Sequence, residues 1–139
     1  MKYSVKSHYA LRALLVLAKH YSEASPTRTE SMAKSEQISA NYLVQLLIEL
    51  KAQGIVKSVR GKEGGYFLAR PPAEITMADV LRCFHGEVFD SPGADDPTSP
   101  PEIKAAWQSL KSALEASAEQ ITLQSIMEES ASRTSMYYI

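Results

Sequence analysis

The chain has 139 residues, 45% of them hydrophobic and 22% charged, and its formal net charge is -1 at pH 7. This size predicts one compact domain, or one small domain with an attached element. No stretch approaches the roughly 20 apolar residues of a membrane span. Arg12 and Lys19 interrupt the N-terminal apolar run, which a signal peptide would leave uninterrupted. The single cysteine, Cys83, excludes a disulfide within the chain. We therefore expect a cytoplasmic protein in a reducing compartment.

The charge is divided unevenly along the chain. Residues 1–70 hold 11 Lys and Arg against 5 Asp and Glu, a balance of +6, whereas residues 71–139 hold 4 against 11, a balance of -7. A basic half of this size suits a polyanion, and the acidic half is better suited to protein or solvent. Chance segregation of solvated charges is the alternative.

The first predicted helix spans residues 7–21, where apolar residues recur at helical spacing in a stripe wide enough to be covered on more than one side. The stripe consists of Leu11, Leu14, Leu15, Val16, Leu17 and Ala18. Thr27 and Glu30 have the spacing of a capping box, which predicts a second, short helix through about Ser35.

A third helix is predicted from a cap at Ser39 to about Gln53, and Gly54 is placed to close it in a left-handed conformation. Its core stripe consists of Leu43, Leu46, Leu47 and Leu50. Its opposite face consists of Asn41, Gln45, Ile48 and Ala52, with Val44 to one side. This face is small, polar and uncharged, which suits contacts with base edges and thymine methyl groups. An ordinary surface with two stray aliphatic residues is the alternative.

Two short runs, "IVKSV" and "YFLA", are typical of strands and are joined by the glycine-rich loop "RGKEGG". Such a hairpin directly after two helices joined by a short turn predicts a winged helix-turn-helix. Its four cations, Lys57, Arg60, Lys62 and Arg70, would lie beside DNA phosphates or in the minor groove. A loop that cradles a nucleotide phosphate is disfavoured, because these glycines join two strands and do not open a helix.

A short fourth helix is predicted in "ITMADVLRCFHG", with Val80, Leu81 and Phe84 packing under the wing. Cys83 and His85 lie two residues apart on it, so their side chains point about 200° from each other and cannot share one metal ion. We expect Cys83 to be a core thiol, with single-thiol redox sensing as the alternative. The loop that follows, residues 86–101, is rich in Pro, Gly and Asp and is expected to be mobile.

A long helix is predicted in "EIKAAWQSLKSALEASAEQ", where Ile103, Trp107, Leu110 and Leu114 form a narrow seam suited to one partner helix. We expect this seam to form a homodimer that sets two recognition helices about one DNA turn, roughly 34 Å, apart. The alternative is that it covers the winged domain of its own chain. The predicted divisions are residues 1–85 for DNA binding, 102–130 for the dimerisation helix and a short C-terminal helix, and 131–139 for a tail.

Three segments resemble the Rrf2 family of bacterial transcription regulators: "KSHYALRALLVLA", "ISANYLVQLLIELKAQGIVKSVRGKEGGYFLARPPAEITMADVL" and "ITLQSIM". The resemblance implies a mainly α fold with a small β-hairpin wing and a long C-terminal dimerisation helix. It also implies a homodimeric repressor that binds a pseudo-palindromic operator in double-stranded DNA. The implied DNA contacts are Ser39, Ala40, Asn41, Tyr42, Val44, Gln45, Ile48, Arg60, Gly61, Lys62, Gly64 and Gly65.

The chain departs from the family pattern in ways that bear on its chemistry. Val44 stands where members often carry an acidic residue, and Gln37 stands where the turn often holds Gly. Residues 86–101 contain none of the three cysteines that cluster-binding members place there, and Lys104 stands where such a member can have a histidine. Because an iron-sulfur cluster needs several thiolates, or thiolates plus histidines, we expect no cluster and no other cofactor.

Two other classes of function compete with this interpretation. An enzyme is disfavoured, because no Ser, His and Asp set has recognisable spacing and the one cysteine has no recognisable base. A winged-helix module that binds protein is the stronger competitor, since fold alone does not fix function. The cationic wing beside a nearly uncharged recognition face favours DNA, and a small-molecule or protein effector is a further possible partner.

Overall fold

The computed structural model describes residues 4–137. This part of the chain contains six α-helices and one antiparallel β-hairpin. The helices are α1 (Val5–Lys19), α2 (Thr29–Glu36), α3 (Ala40–Ala52), α4 (Met77–His85), α5 (Pro101–Gln120) and α6 (Leu123–Tyr137). The strands are β1 (Val56–Val59) and β2 (Gly65–Leu68), and a short 3-10 helix, Pro72–Glu74, joins the hairpin to α4. The predicted mainly helical fold with a hairpin wing and a long C-terminal helix is confirmed. In the described part of the chain, no helix is both long and apolar enough to cross a bilayer.

Helix α1 lies at the centre of the core, with Ala10, Ala13 and Leu14 fully buried. It packs against α2, α3, α4, α6 and β2. Its small alanines let the neighbouring backbones approach closely, which gives the dense packing that protein interiors require. The predicted core stripe of α3 is confirmed, because each of its four leucines is fully buried: Leu43, Leu46, Leu47 and Leu50.

The predicted capping box at the start of α2 is wrong. The helix begins at Thr29 after Arg28, which makes no side-chain cap, and Thr27 is instead held in a backbone bridge to Tyr66 of β2. At the other end, Gln37 closes α2 with a left-handed backbone, φ 55° and ψ 44°. This conformation costs a residue with a Cβ atom about 1–2 kcal/mol, which is why glycine is common there.

Helix α4 is capped reciprocally by Thr76 and Asp79, each side chain accepting a hydrogen bond from the other residue's backbone N–H. The sequence predicts that this helix packs under the wing. Val80 and Phe84 belong to the same apolar cluster as Val56 and Leu68 of the hairpin, while the helix as a whole packs mainly against α1, α3 and α5. An ion pair of 3.5 Å between Arg70 and Asp79 also links the helix to the hairpin.

The C-terminal helix α6 packs on α1 and on the 3-10 helix. It extends to Tyr137, so the boundary predicted at residues 130 and 131 falls inside this helix, and positions 138–139 lie outside the described residues. No Gly or Pro interrupts the segment, and Arg133 pairs with Glu129 one turn earlier at 2.9 Å. Because the segment contains no helix-breaking residue, nothing in the local sequence ends the helix at residue 130.

The segment between α4 and α5 begins in the core. Val88 and Phe89 are 2% and 7% exposed, so the predicted mobile loop is anchored at its start. Further along, the carboxylate of Asp96 accepts hydrogen bonds from the hydroxyl and then the backbone N–H of Thr98, and these bonds lower the pKa of Asp96. Mobility of the remaining residues stays a prediction.

Candidate nucleic-acid interface

The exposed face of α3 carries the side chains predicted to meet base edges. Ser39 occupies the N-cap position without a side-chain cap, and Ala40, Asn41 and Gln45 are exposed. Ile48 is 56% exposed and Val44 37%. The full burial of the leucines on the opposite side holds the helix in this rotation. The exposed face of α3 therefore presents only uncharged side chains, which are amides and aliphatic groups.

Tyr42 differs from the other predicted contacts on α3. Its side chain is half-buried, and its ring meets that of Tyr9 edge to face, with centroids 5.9 Å apart and planes at 89°. Such geometry is favourable between aromatic rings. Tyr42 thus attaches the start of α3 to α1, and only part of it is available to a ligand.

The wing is a short hairpin whose loop depends on glycine. Its strands pair from Val56 with Leu68 to Val59 with Gly65. Gly61 has φ +111°, a conformation that side chains disfavour. A Cβ atom on Gly64 would lie 2.4 Å from the carbonyl oxygen of Val59, so only glycine lets the loop close this tightly.

The wing is also fixed to the start of α2. Thr27 and Tyr66 exchange backbone hydrogen bonds of 3.0 and 2.8 Å, and the guanidinium of Arg28 donates to the carbonyl of Lys62. A Cβ atom on Gly65 would lie 2.2 Å from the Thr27 oxygen, so glycine is needed for this approach as well. The sequence analysis does not predict this junction. Gly65, the second of two consecutive glycines, is the only residue nearby that points to it.

The four cations of the hairpin have different environments. Arg70 pairs with Asp79, and the Lys57 ammonium lies 5.7 Å from the ring centroid of Phe67, its cross-strand neighbour. Arg60 and Lys62 are exposed in the loop, and within residues 4–137 their side chains form no ion pair or hydrogen bond. Among the described residues, the exposed Lys57 likewise has no acidic partner, whereas the charge of Arg70 is already paired with Asp79. Contact of these cations with DNA stays a prediction.

Cys83 contacts the inner side of α3. Its half-buried thiol donates to the backbone carbonyl of Glu49 at 3.6 Å. Burial, and then the Glu49 carboxylate, raise the pKa of this thiol. The imidazole of His85, on the same helix, is hydrogen-bonded to Ser7 at 2.9 Å. In the described part of the chain, no three His, Cys, Asp or Glu side chains are grouped so as to hold a metal ion.

The predicted seam on α5 is largely uncovered in one chain. Ile103, Leu110 and Leu114 are 50%, 45% and 36% exposed. Trp107 is half-buried because its ring stacks on that of Phe89, with centroids 6.1 Å apart and planes at 28°. An apolar row of this kind is typical of a surface that another protein covers.

Comparisons with known proteins agree with this geometry. The family model Rrf2, described as an iron-dependent transcriptional regulator, matches residues 3–129. An HTH-type transcriptional regulator of Mycobacterium tuberculosis (strain H37Rv) is 38% identical over 128 residues, which are 88% of this chain and 79% of that protein. The HTH-type transcriptional regulator CymR of Bacillus subtilis is 33% identical over 126 residues, 91% of this chain and 89% of that protein.

Solved structures give the same result. The structure of CymR, the global cysteine regulator of B. subtilis, has a TM-score of 0.82 and 32% identity, covering 93% of this chain and 98% of that one. The structure of IscR from T. potens has a TM-score of 0.77 and 34% identity, covering 94% of this chain and 88% of that one.

Proposed function

The chain belongs to the Rrf2 family of HTH-type transcriptional regulators, and from this premise we propose that it binds a pseudo-palindromic operator as a homodimer and acts as a repressor. The observation that carries the proposal is the pairing of two surfaces: the exposed, uncharged face of α3 and the free cations of the wing loop. The α3 face can read bases, because amides pair with adenine and aliphatic groups meet thymine methyls. The wing adds affinity for any duplex through phosphates or the minor groove.

The homodimer is supported by the apolar seam on α5. A two-fold dimer would place Ile103, Leu110 and Leu114 against the same residues of a second copy. Within its own chain, α5 packs mainly against α4, and this contact leaves the seam open. The intramolecular alternative is therefore disfavoured for these three residues, although Trp107 does pack on Phe89 of its own chain.

The residues present do not fit the iron-sulfur group that an iron-dependent regulator of this family would use. The whole chain offers one thiol, Cys83. That thiol is half-buried and donates to a backbone carbonyl, and the side chain of the nearest histidine in sequence, His85, is engaged by Ser7. We therefore propose that DNA binding is independent of a cluster.

The redox alternative for Cys83 is weakened by its surroundings. Reactive cysteines lie in electropositive places that lower the pKa of the thiol. Here burial and a nearby carboxylate raise it. A protonated thiol is a poor nucleophile, so we propose that Cys83 serves as packing.

A protein-binding winged helix is the second candidate, and a titration of variants separates it from a DNA reader. Gln45→Ala should weaken a selected operator more than random duplex, by about 1–3 kcal/mol. Arg60→Ala should weaken both duplexes alike and reduce the slope of log affinity against log salt by about 0.9. Gln120→Ala, at the exposed C-terminal end of α5 and outside α3 and the wing, is the control for both variants.

Fluorescence anisotropy at several salt concentrations measures both effects. If Gln45→Ala lowers the two affinities equally while Arg60→Ala changes only operator binding with no salt effect, the assigned roles are reversed. If neither variant differs from its control, the interface is not on α3 and the wing, and the protein-binding candidate replaces it.

A further inference from the structure

We propose that the cavity between the loop preceding α5 and α5 itself binds a small organic carboxylate with a flat apolar body. The cavity has a volume of about 370 Å³, which falls within the range of about 300–1,000 Å³ usual for small-molecule sites. One wall is formed by residues 91–94 of the loop and the other by one face of α5. The proposal concerns a separate site and does not rest on DNA binding.

The apolar character of the site comes from Trp107, which lines the cavity. Its indole ring stacks on Phe89, whose side chain is buried in the core. The ring is therefore held in place before any ligand arrives, so little conformational entropy is lost on binding. A fixed aromatic surface favours a flat ligand that can stack or lie against it.

The group of the site that favours an anion is Lys104. The lining contains two lysines and no acidic residue. Lys111, however, is already paired with Glu87 at 3.0 Å, a hydrogen bond that raises its pKa, and the carboxylates of Glu115 and Asp90 also act on it. The side chain of Lys104 forms no ion pair or hydrogen bond among the residues that the structure describes, so its ammonium group is available to one carboxylate. Gln108 also lines the cavity, and its amide donates to Ser112 at 3.3 Å, which leaves its carbonyl oxygen as an acceptor.

The cavity lies beside the apolar seam and is distinct from it. Lys104 and Gln108 each follow a seam residue, Ile103 or Trp107, by one position, which is a rotation of about 100° around the helix. A second copy seated on the seam would thus leave the lysine face of α5 open. Trp107 lies at the border of the two surfaces and contacts both.

The test uses trans-cinnamate as the probe and the neutral cinnamamide as its control. Trp107 is the only tryptophan of the chain, so its indole N–H gives one NMR signal that reports directly on the cavity. We expect cinnamate to shift this signal saturably at millimolar or lower concentration. Cinnamamide should bind about tenfold more weakly, because it cannot form the charge-assisted hydrogen bond with Lys104.

Two variants locate the binding within the cavity. Lys104→Gln should weaken cinnamate about tenfold, whereas Lys19→Gln, at the distant end of α1, should leave its Kd unchanged. Ala105→Glu adds a carboxylate to the same wall and should abolish binding while circular dichroism confirms an intact helix. The proposal is overturned if cinnamate gives no saturable shift, if cinnamamide binds equally well, or if both cavity variants bind cinnamate as the unmodified protein does.

Discussion

Replacing Leu110 by alanine should weaken the proposed dimer about 30-fold. Full burial of a leucine side chain is worth about 1.5–3 kcal/mol, and Leu110 is 45% exposed in the single chain. Burying the exposed part of the Leu110 side chain in the dimer is thus worth about 1 kcal/mol per copy. Because a two-fold dimer contains the residue twice, the variant loses about 2 kcal/mol, which corresponds to about 30-fold in the dimer dissociation constant.

Sedimentation equilibrium measures this constant directly. Val5→Ala is the matched control, because Val5 is 64% exposed on α1 and lies outside the seam. Circular dichroism should give the same helix content for both variants, since Leu110 contributes to no buried core. The reasoning is refuted if Leu110→Ala dimerises as tightly as Val5→Ala, or if the unmodified protein is a monomer at micromolar concentration.

Two further predictions concern the wing junction and the thiol. Gly65→Ala places a Cβ atom 2.2 Å from the Thr27 oxygen and should lower the free energy of unfolding by about 1–3 kcal/mol; an unchanged urea midpoint would contradict this. The raised pKa of Cys83 should make its alkylation by iodoacetamide at pH 7 slower than that of free cysteine, with acceleration only at alkaline pH. Because the folded value exceeds the unfolded one, the stability that the neutral thiol contributes is present below the unfolded pKa and is lost as pH rises through the folded pKa. A rate at pH 7 equal to that of free cysteine would disprove the burial effect.

Local periodicity predicted the recognition helix well. The four leucines of α3 recur at helical spacing, and burial of that stripe alone fixes which residues face outward, so Gln45 and Ile48 could be placed from sequence. The hairpin was equally predictable, because its glycine-rich loop lies between two β-prone runs. Both features depend only on residues close to each other in the chain.

The parts that sequence reasoning missed depend on contacts between distant residues. The spacing of Thr27 and Glu30 predicts a helix cap, because the bridge from Thr27 to Tyr66 forms only when the wing folds back. The charge pattern groups Arg70 with the DNA-facing cations, because its pairing with Asp79 depends on how α4 packs. The stacking of Trp107 on Phe89 likewise joins two segments whose packing no local pattern reveals.

In vitro selection of random duplexes by chelator-treated protein tests the central claim most directly. The account predicts enrichment of an inverted repeat whose half-sites lie about 10 base pairs apart, centre to centre, with no metal present. Enrichment of no sequence would contradict operator binding, and enrichment only after reconstitution of an iron-sulfur cluster would contradict the proposed independence from metal.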